Sequence, residues 1–163
     1  TYQTLTTTIP VAADPKIAGV TTLSLAAGTY HYAKLTIAGS GKIAATGKVD
    51  IYVDGAVSLA GAGIVTQNNL PPNLTIYVTG SSAVSISGSA AFYGSIYAPN
   101  STVSNSGDVN IYGSVICKKM NLSGSSKIHY DEALSSSSGS SSGSKFSITT
   151  WQELNSLTWG ALT

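Results

Sequence analysis

The chain contains no arginine, one cysteine and one methionine, and only 9% of its 163 residues are charged. Eight lysines against seven acids, with no arginine to fork onto phosphate or guanine, leave no basic stripe, which argues against a nucleic-acid partner. A net charge of +1 gives no field to steer a charged ligand over distance. With Cys117 alone, neither an intramolecular disulfide nor a cysteine-built metal site can form, so stability must come from packing and hydrogen bonds. No apolar run approaches the roughly 20 residues of a membrane span. Thr1 opens neither a basic n-region nor an apolar signal core. These features leave an intracellular chain or a mature or trimmed form of a secreted precursor; a surface rich in Ser, Thr and Asn favours the second, extracellular or at the cell surface, with no membrane span in this chain.

The composition that remains is Ser, Thr, Gly, Ala and Asn, with 42% hydrophobic residues. That is too apolar for a disordered polyelectrolyte, and the length suits one domain with a sizeable core.

The dominant signal is an irregular repeat. Tyr30-His31-Tyr32-Ala33-Lys34-Leu35-Thr36-Ile37-Ala38-Gly39 aligns without a gap onto the ten residues beginning Tyr52-Val53-Asp54-Gly55, an offset of 22. Further copies start at Tyr77, Tyr93 and Tyr112, and a partial one ends in Ile128-His129-Tyr130. The widest gap between tyrosines, 25 residues, holds a proline-bearing insertion at 66–73. Within each copy the apolar residues alternate: Leu74, Ile76 and Val78 share one face, Thr75, Tyr77 and Thr79 the other. Abundant β-branched residues and Gly/Ser corners leave no helical stripe. A unit of this kind cannot bury its inner face alone, so it must stack on its neighbours, about five or six rungs at roughly 4.8 Å spacing. The predicted fold is therefore all-β, a single right-handed parallel β-solenoid over residues 29–134. A β-sandwich of tight hairpins is the alternative, but half-motifs that recur in one order favour parallel stacking. Residues 1–28 are expected to supply an N-terminal cap and first strands over an otherwise unpaired edge, and Asp131 to Leu134 a helical turn that closes the coil. Residues 135–144, only Ser and Gly, form a flexible linker. Residues 145–163 form a strand-like docking tail that carries both tryptophans.

The segments Ala91-Phe92-Tyr93-Gly94-Ser95-Ile96-Tyr97-Ala98-Pro99-Asn100, Asn110-Ile111-Tyr112-Gly113-Ser114-Val115-Ile116 and Ile128-His129-Tyr130-Asp131-Glu132-Ala133-Leu134 resemble an uncharacterised β-solenoid domain of bacterial surface proteins. That domain is often appended to minor-pilin-like, type IV pilus assembly proteins. The resemblance covers about residues 25–134, and Thr150-Trp151-Gln152-Glu153-Leu154 is similar to an ending common there. More distantly the chain is similar to ice-binding and other adhesin solenoids. The resemblance implies a surface-exposed, pilus-associated module and supplies no catalytic residues.

Candidate chemistry is sparse. Asp50 and Asp54 flank Tyr52 on one strand face, but no arginine or further acid joins them, and solvated surface carboxylates are the expected role. His31, with inward or rung-edge parity, and His129 have no second histidine at ligand spacing, so both are read as structural. The only serine-elbow match, Gly139 to Gly143, lies in the Ser/Gly linker, without the required strand–turn–helix context. Cys117 is expected to face inward, one rung above Ala98. Tyr30, Tyr52, Tyr77, Tyr93 and Tyr112 are expected to form one exposed aromatic stripe, a contact surface for protein or sugar. Phe146, Ile148, Trp151, Leu154 and Trp159 are the expected docking residues of the tail. The sequence thus predicts a self-associating, homo-polymeric structural subunit of an extracellular filament or surface appendage, joined by end stacking of the solenoid, by strand donation from the tail, or by both, without enzymatic activity or cofactor. A surface-glycan adhesin using the tyrosines is the second reading, and a polysaccharide-active enzyme the third.

Overall fold

Three short β-stretches per turn, separated by corners, fold the chain into a parallel β-solenoid. The computed structural model describes residues 11–60, 63–89 and 91–136. Its strands are β1 (Lys16–Ile17), β2 (Thr22–Leu25), β3 (Gly28–Tyr32), β4 (Leu35–Ala38), β5 (Lys42–Ala45), β6 (Val49–Val53), β7 (Val57–Ala60), β8 (Gly63–Thr66), β9 (Leu74–Val78), β10 (Val84–Gly88), β11 (Ala91–Gly107), β12 (Asn110–Ser123) and β13 (Lys127–Tyr130). The first face of the coil stacks β1, β4, β7, β10 and the ends of β11 and β12. The second stacks β2, β5, β8, the starts of β11 and β12, and β13. The third stacks β3, β6, β9 and the middles of β11 and β12. Every one of these pairings is parallel.

Period-2 alternation decides what enters the coil. Ile43, Ile64, Phe92 and Ile111 form one inward column on the second face. Ile51, Ile76 and Ile96 form another on the third. Leu35, Val57, Val84 and Val103 form one on the first. All of these side chains are buried. Cys117 pairs with Ala98, as its parity predicts, and packs partly buried against the core. One inward position breaks the apolar rule: Asn105, between Ile86 and Leu122 in its column, is buried, and neither amide atom has a hydrogen-bond partner among the described residues.

Corners set the register, and they vary in length. Leu35 pairs with Val57, an offset of 22, whereas Tyr30 pairs with Ile51, an offset of 21. The extra residue lies in the corner after Val53. A one-residue slip exchanges the two faces of a strand, so Tyr30 and Tyr32 point toward the coil interior rather than outward. Tyr32 is buried, and Tyr30 packs against the core while its hydroxyl donates to the Ala26 carbonyl at 3.0 Å. Elsewhere a corner demands glycine: Gly94 and Gly113, both at positive φ, stack so closely that a Cβ on Gly113 would overlap the Gly94 carbonyl oxygen.

The two ends follow from local chemistry. Residues 16–25, in the segment expected to cap the coil and start its strands, do start them: β1 and β2 pair in register with β4 and β5. At the other end Asp131 caps a short helix, α1 (Ala133–Ser136), its carboxylate accepting from the Ala133 amide at 2.9 Å. The helical turn thus runs two residues into the stretch expected to be linker. The insertion folds as two 3-10 turns, Gln67–Asn69 and Pro71–Asn73. Asn68 and Asn69 there take left-handed φ, which asparagine tolerates better than most residues, and the Thr66 hydroxyl ties the loop by donating to the Leu70 carbonyl. The second of these turns touches both β11 and α1.

Candidate ligand groove

On the outer side of the third face the registers assemble two rows that run along the coil. Thr29, Asp50, Thr75, Ser95 and Ser114 make the first. His31, Tyr52, Tyr77, Tyr97 and Ile116 make the second. The Pro71–Asn73 turn and α1 rise beside these rows. Between them lies an open groove of about 530 Å³, lined by Lys48, Asp50, Thr75, Tyr77, Ser95, Tyr97 and Ser114, with Pro72 and Leu134 as walls.

The rings differ in what they present. Tyr52 and Tyr77 lie face to face, centroids 4.7 Å apart and planes within 12°, an arrangement set by the rung spacing. Their faces are therefore turned on each other, and Tyr52 is only 6% exposed. Tyr97 breaks the stack: its ring is 6.0 Å from Tyr77 and tilted by 55°, and the next position in register is Ile116. Tyr93 and Tyr112 belong elsewhere, on the second face, where they stack at 4.8 Å and continue onto His129 at 4.7 Å. The expected single exposed stripe is thus two separate ladders, with Tyr30 in neither and Tyr52 buried. The burial of Tyr52 comes from its stacking, and the other two differences have one cause. Tyrosine spacing alone does not show which face a residue occupies when corner lengths change.

Burial shifts three titratable groups of this face, Asp50, Tyr52 and Tyr77. Burial pushes the Asp50 carboxyl above the usual carboxylate range, and nearby Lys48 opposes that rise. Burial raises the Tyr52 and Tyr77 phenols, and the charge of Asp50 raises them further. At neutral pH both phenols stay protonated, able to donate as well as accept. The Ser114 hydroxyl donates to that of Ser95 at 3.0 Å, which links neighbouring rungs of the polar row.

His31 and Asp54 sit at the same face but serve structure. Register puts His31 outward beneath Tyr52 rather than inward, yet it is only 4% exposed. Its Nε2 lies 2.9 Å from Asp54 Oδ2, and the Thr79 hydroxyl donates to Asp54 Oδ1 at 2.8 Å. Asp54 therefore cross-links three rungs, and Asp50 is partly buried, so neither is the freely solvated carboxylate expected from sequence. Among the described residues no group of three His, Cys, Asp or Glu side chains could hold a metal ion. Nor is any helix there long and apolar enough to cross a membrane. Phe146, Ile148, Trp151, Leu154 and Trp159 lie outside the described residues. The residues that sequence reasoning missed are Lys48, Thr75, Ser95 and Ser114. The signal for the last three was an outward Ser/Thr two residues before each outward aromatic or its counterpart, broken only by Asp50 before Tyr52; Lys48 has no such signal.

No curated protein and no solved structure matches the chain. One family model, a domain of unknown function (DUF7305), matches residues 33–137. That span takes in most of the solenoid, the whole groove and α1, and by it the chain belongs to the DUF7305 family.

Proposed function

We propose that this solenoid is a structural, self-associating module of an extracellular filament or surface appendage, pilus-associated and bacterial, and not an enzyme. The observation that carries the reading is the last rung. Among the described residues β13 pairs only with β12, and all four of its residues are exposed. Leu122, Ile128 and Tyr130 are large, apolar and exposed around that end. An unpaired edge with apolar side chains is a template for another strand. The occupant this reading assigns to it is residues 145–154 of a neighbouring copy, in which Phe146, Ile148 and Thr150 alternate as a strand requires. The Ser/Gly stretch between α1 and that segment, residues 137–144, has a reach of roughly 14–17 Å, enough to cross to a neighbour. Where each tail passes to a new copy, donation of this kind extends into filaments; where the rotation closes, it gives a ring or a reciprocal pair.

Light scattering and negative-stain microscopy of residues 1–163, of 1–136, and of Leu122→Lys with Ile128→Lys test the reading. The full chain is expected to form filaments, and both altered forms to remain monomeric with unchanged circular dichroism. Filaments that persist without residues 137–163 would reject strand donation. A full-length chain that stays monomeric at high concentration would reject self-association.

A further inference from the structure

The groove on the third face is remote in role from the last rung, and its chemistry points to a different partner. We propose that it binds a neutral, extended oligosaccharide laid along the coil axis. A saccharide chain offers closely spaced hydroxyls and an apolar C–H face on each ring. The groove answers both. Thr75, Ser95 and Ser114 repeat a hydroxyl once per rung, and the protonated Tyr77 phenol adds another group that both donates and accepts. Tyr97, tilted out of the ladder, stands next to exposed Ile116 as a patch for a sugar's apolar face. Rungs repeat at about 4.8 Å, comparable to the length of one pyranose unit, so the rows from Asp50 to Ser114 match about four sugars.

Other ligand classes fit less well. The floor strands β6, β9 and β11 are paired on both sides, so a peptide strand would find no backbone partner there. A polyanion would meet Lys48 as the only cation among the described lining residues, with Asp50 close enough to feel its charge. That opposed pair at one end also selects against strongly charged sugars and offers directional hydrogen bonds to the terminal unit. The groove is walled by the insertion and by α1, two features that the regular repeat does not need.

The test is calorimetric titration of the full chain with neutral hexasaccharides of β-1,4-linked glucose, N-acetylglucosamine and mannose, and α-1,4-linked glucose. At least one is expected to bind. Tyr97→Ala, and Thr75→Val combined with Ser114→Ala, are each expected to weaken that binding by about tenfold or more, the loss of one good contact. Ser85→Asn, exposed on the first face, and Tyr112→Ala on the second are expected to leave it unchanged. Leu122→Lys, which tests self-association, is likewise expected to leave it unchanged, so the two readings fail separately. The proposal is overturned if none of the four sugars binds, if binding is equal in the groove variants, or if the Tyr112 change abolishes it. It is also overturned if binding appears only after residues 137–163 are removed, because the groove would then serve the chain's own tail.

Discussion

Ile111 and Ile128 occupy the same inward column, one rung apart, yet the first is fully buried and the second 39% exposed. Their side chains are identical and their strand parity is the same. Among the described residues, what differs is whether a rung lies above. Leu122 repeats the contrast, 52% exposed where Leu59 and Ile86 lie buried further down its column. Burial in this molecule is therefore a property of position in the stack, and the last rung keeps the residues of a core without being one.

Substitution can break that contrast. Ile111→Ala should cost about 2–5 kcal/mol, the range for truncating a fully buried aliphatic side chain, read as a lowered midpoint in urea. Ile128→Ala should cost about 1 kcal/mol or less in the monomer, as surface changes usually do. Equal losses at the two positions would mean that the last rung is covered in solution. Asn105→Leu sharpens the comparison from inside. Its amide has no partner among the described residues, and its column neighbours are Ile86 and Leu122. Leucine there should stabilise the coil by about 1–3 kcal/mol, the usual penalty of an unpaired buried polar group.

The smallest effect concerns pH. Asp50 has its carboxyl raised by burial in the folded chain, so folding holds that proton more tightly than the unfolded chain does. Its contribution to stability is then most favourable below the ordinary carboxylate value of about 4 and declines as pH rises through the raised one. Asp50→Asn should flatten this part of the melting-temperature profile and leave the protein slightly more stable at pH 7. A steeper acid-to-neutral decline in the variant would contradict the assignment.

The stacking of this fold is legible in sequence because alternation is a local property. Leu74, Ile76 and Val78 declare their face without reference to any neighbour. The helical turn after Asp131 is equally local, set by one capping carboxylate. Register is not, since it is the running total of corner lengths. A single extra residue near Gly55 put Tyr30 on the wrong face, and a 16-residue spacing joined Tyr77 to Tyr93 although they belong to different ladders. The groove was illegible for a further reason. Its floor repeats, but its walls are Pro72 and Leu134, about 60 residues apart in a chain whose compactness brings them together. Asp54 and His31 show the same limit: each looked isolated until two rungs were placed side by side.

The stacked glycines at the corners carry a consequence for descent. Gly113 has no room for even one added carbon above Gly94, and β11 keeps step with β12 at a constant offset from Ala91 to Ala98. Loss or gain of one residue inside such a stretch would invert every side chain beyond it. The corner at 67–73 shows where extra residues are absorbed, because both flanking strands, β8 and β9, keep their partners. Genes for coils of this type can therefore lengthen by whole turns or at corners, and their surfaces diversify where the loops emerge while the stack beneath keeps its count.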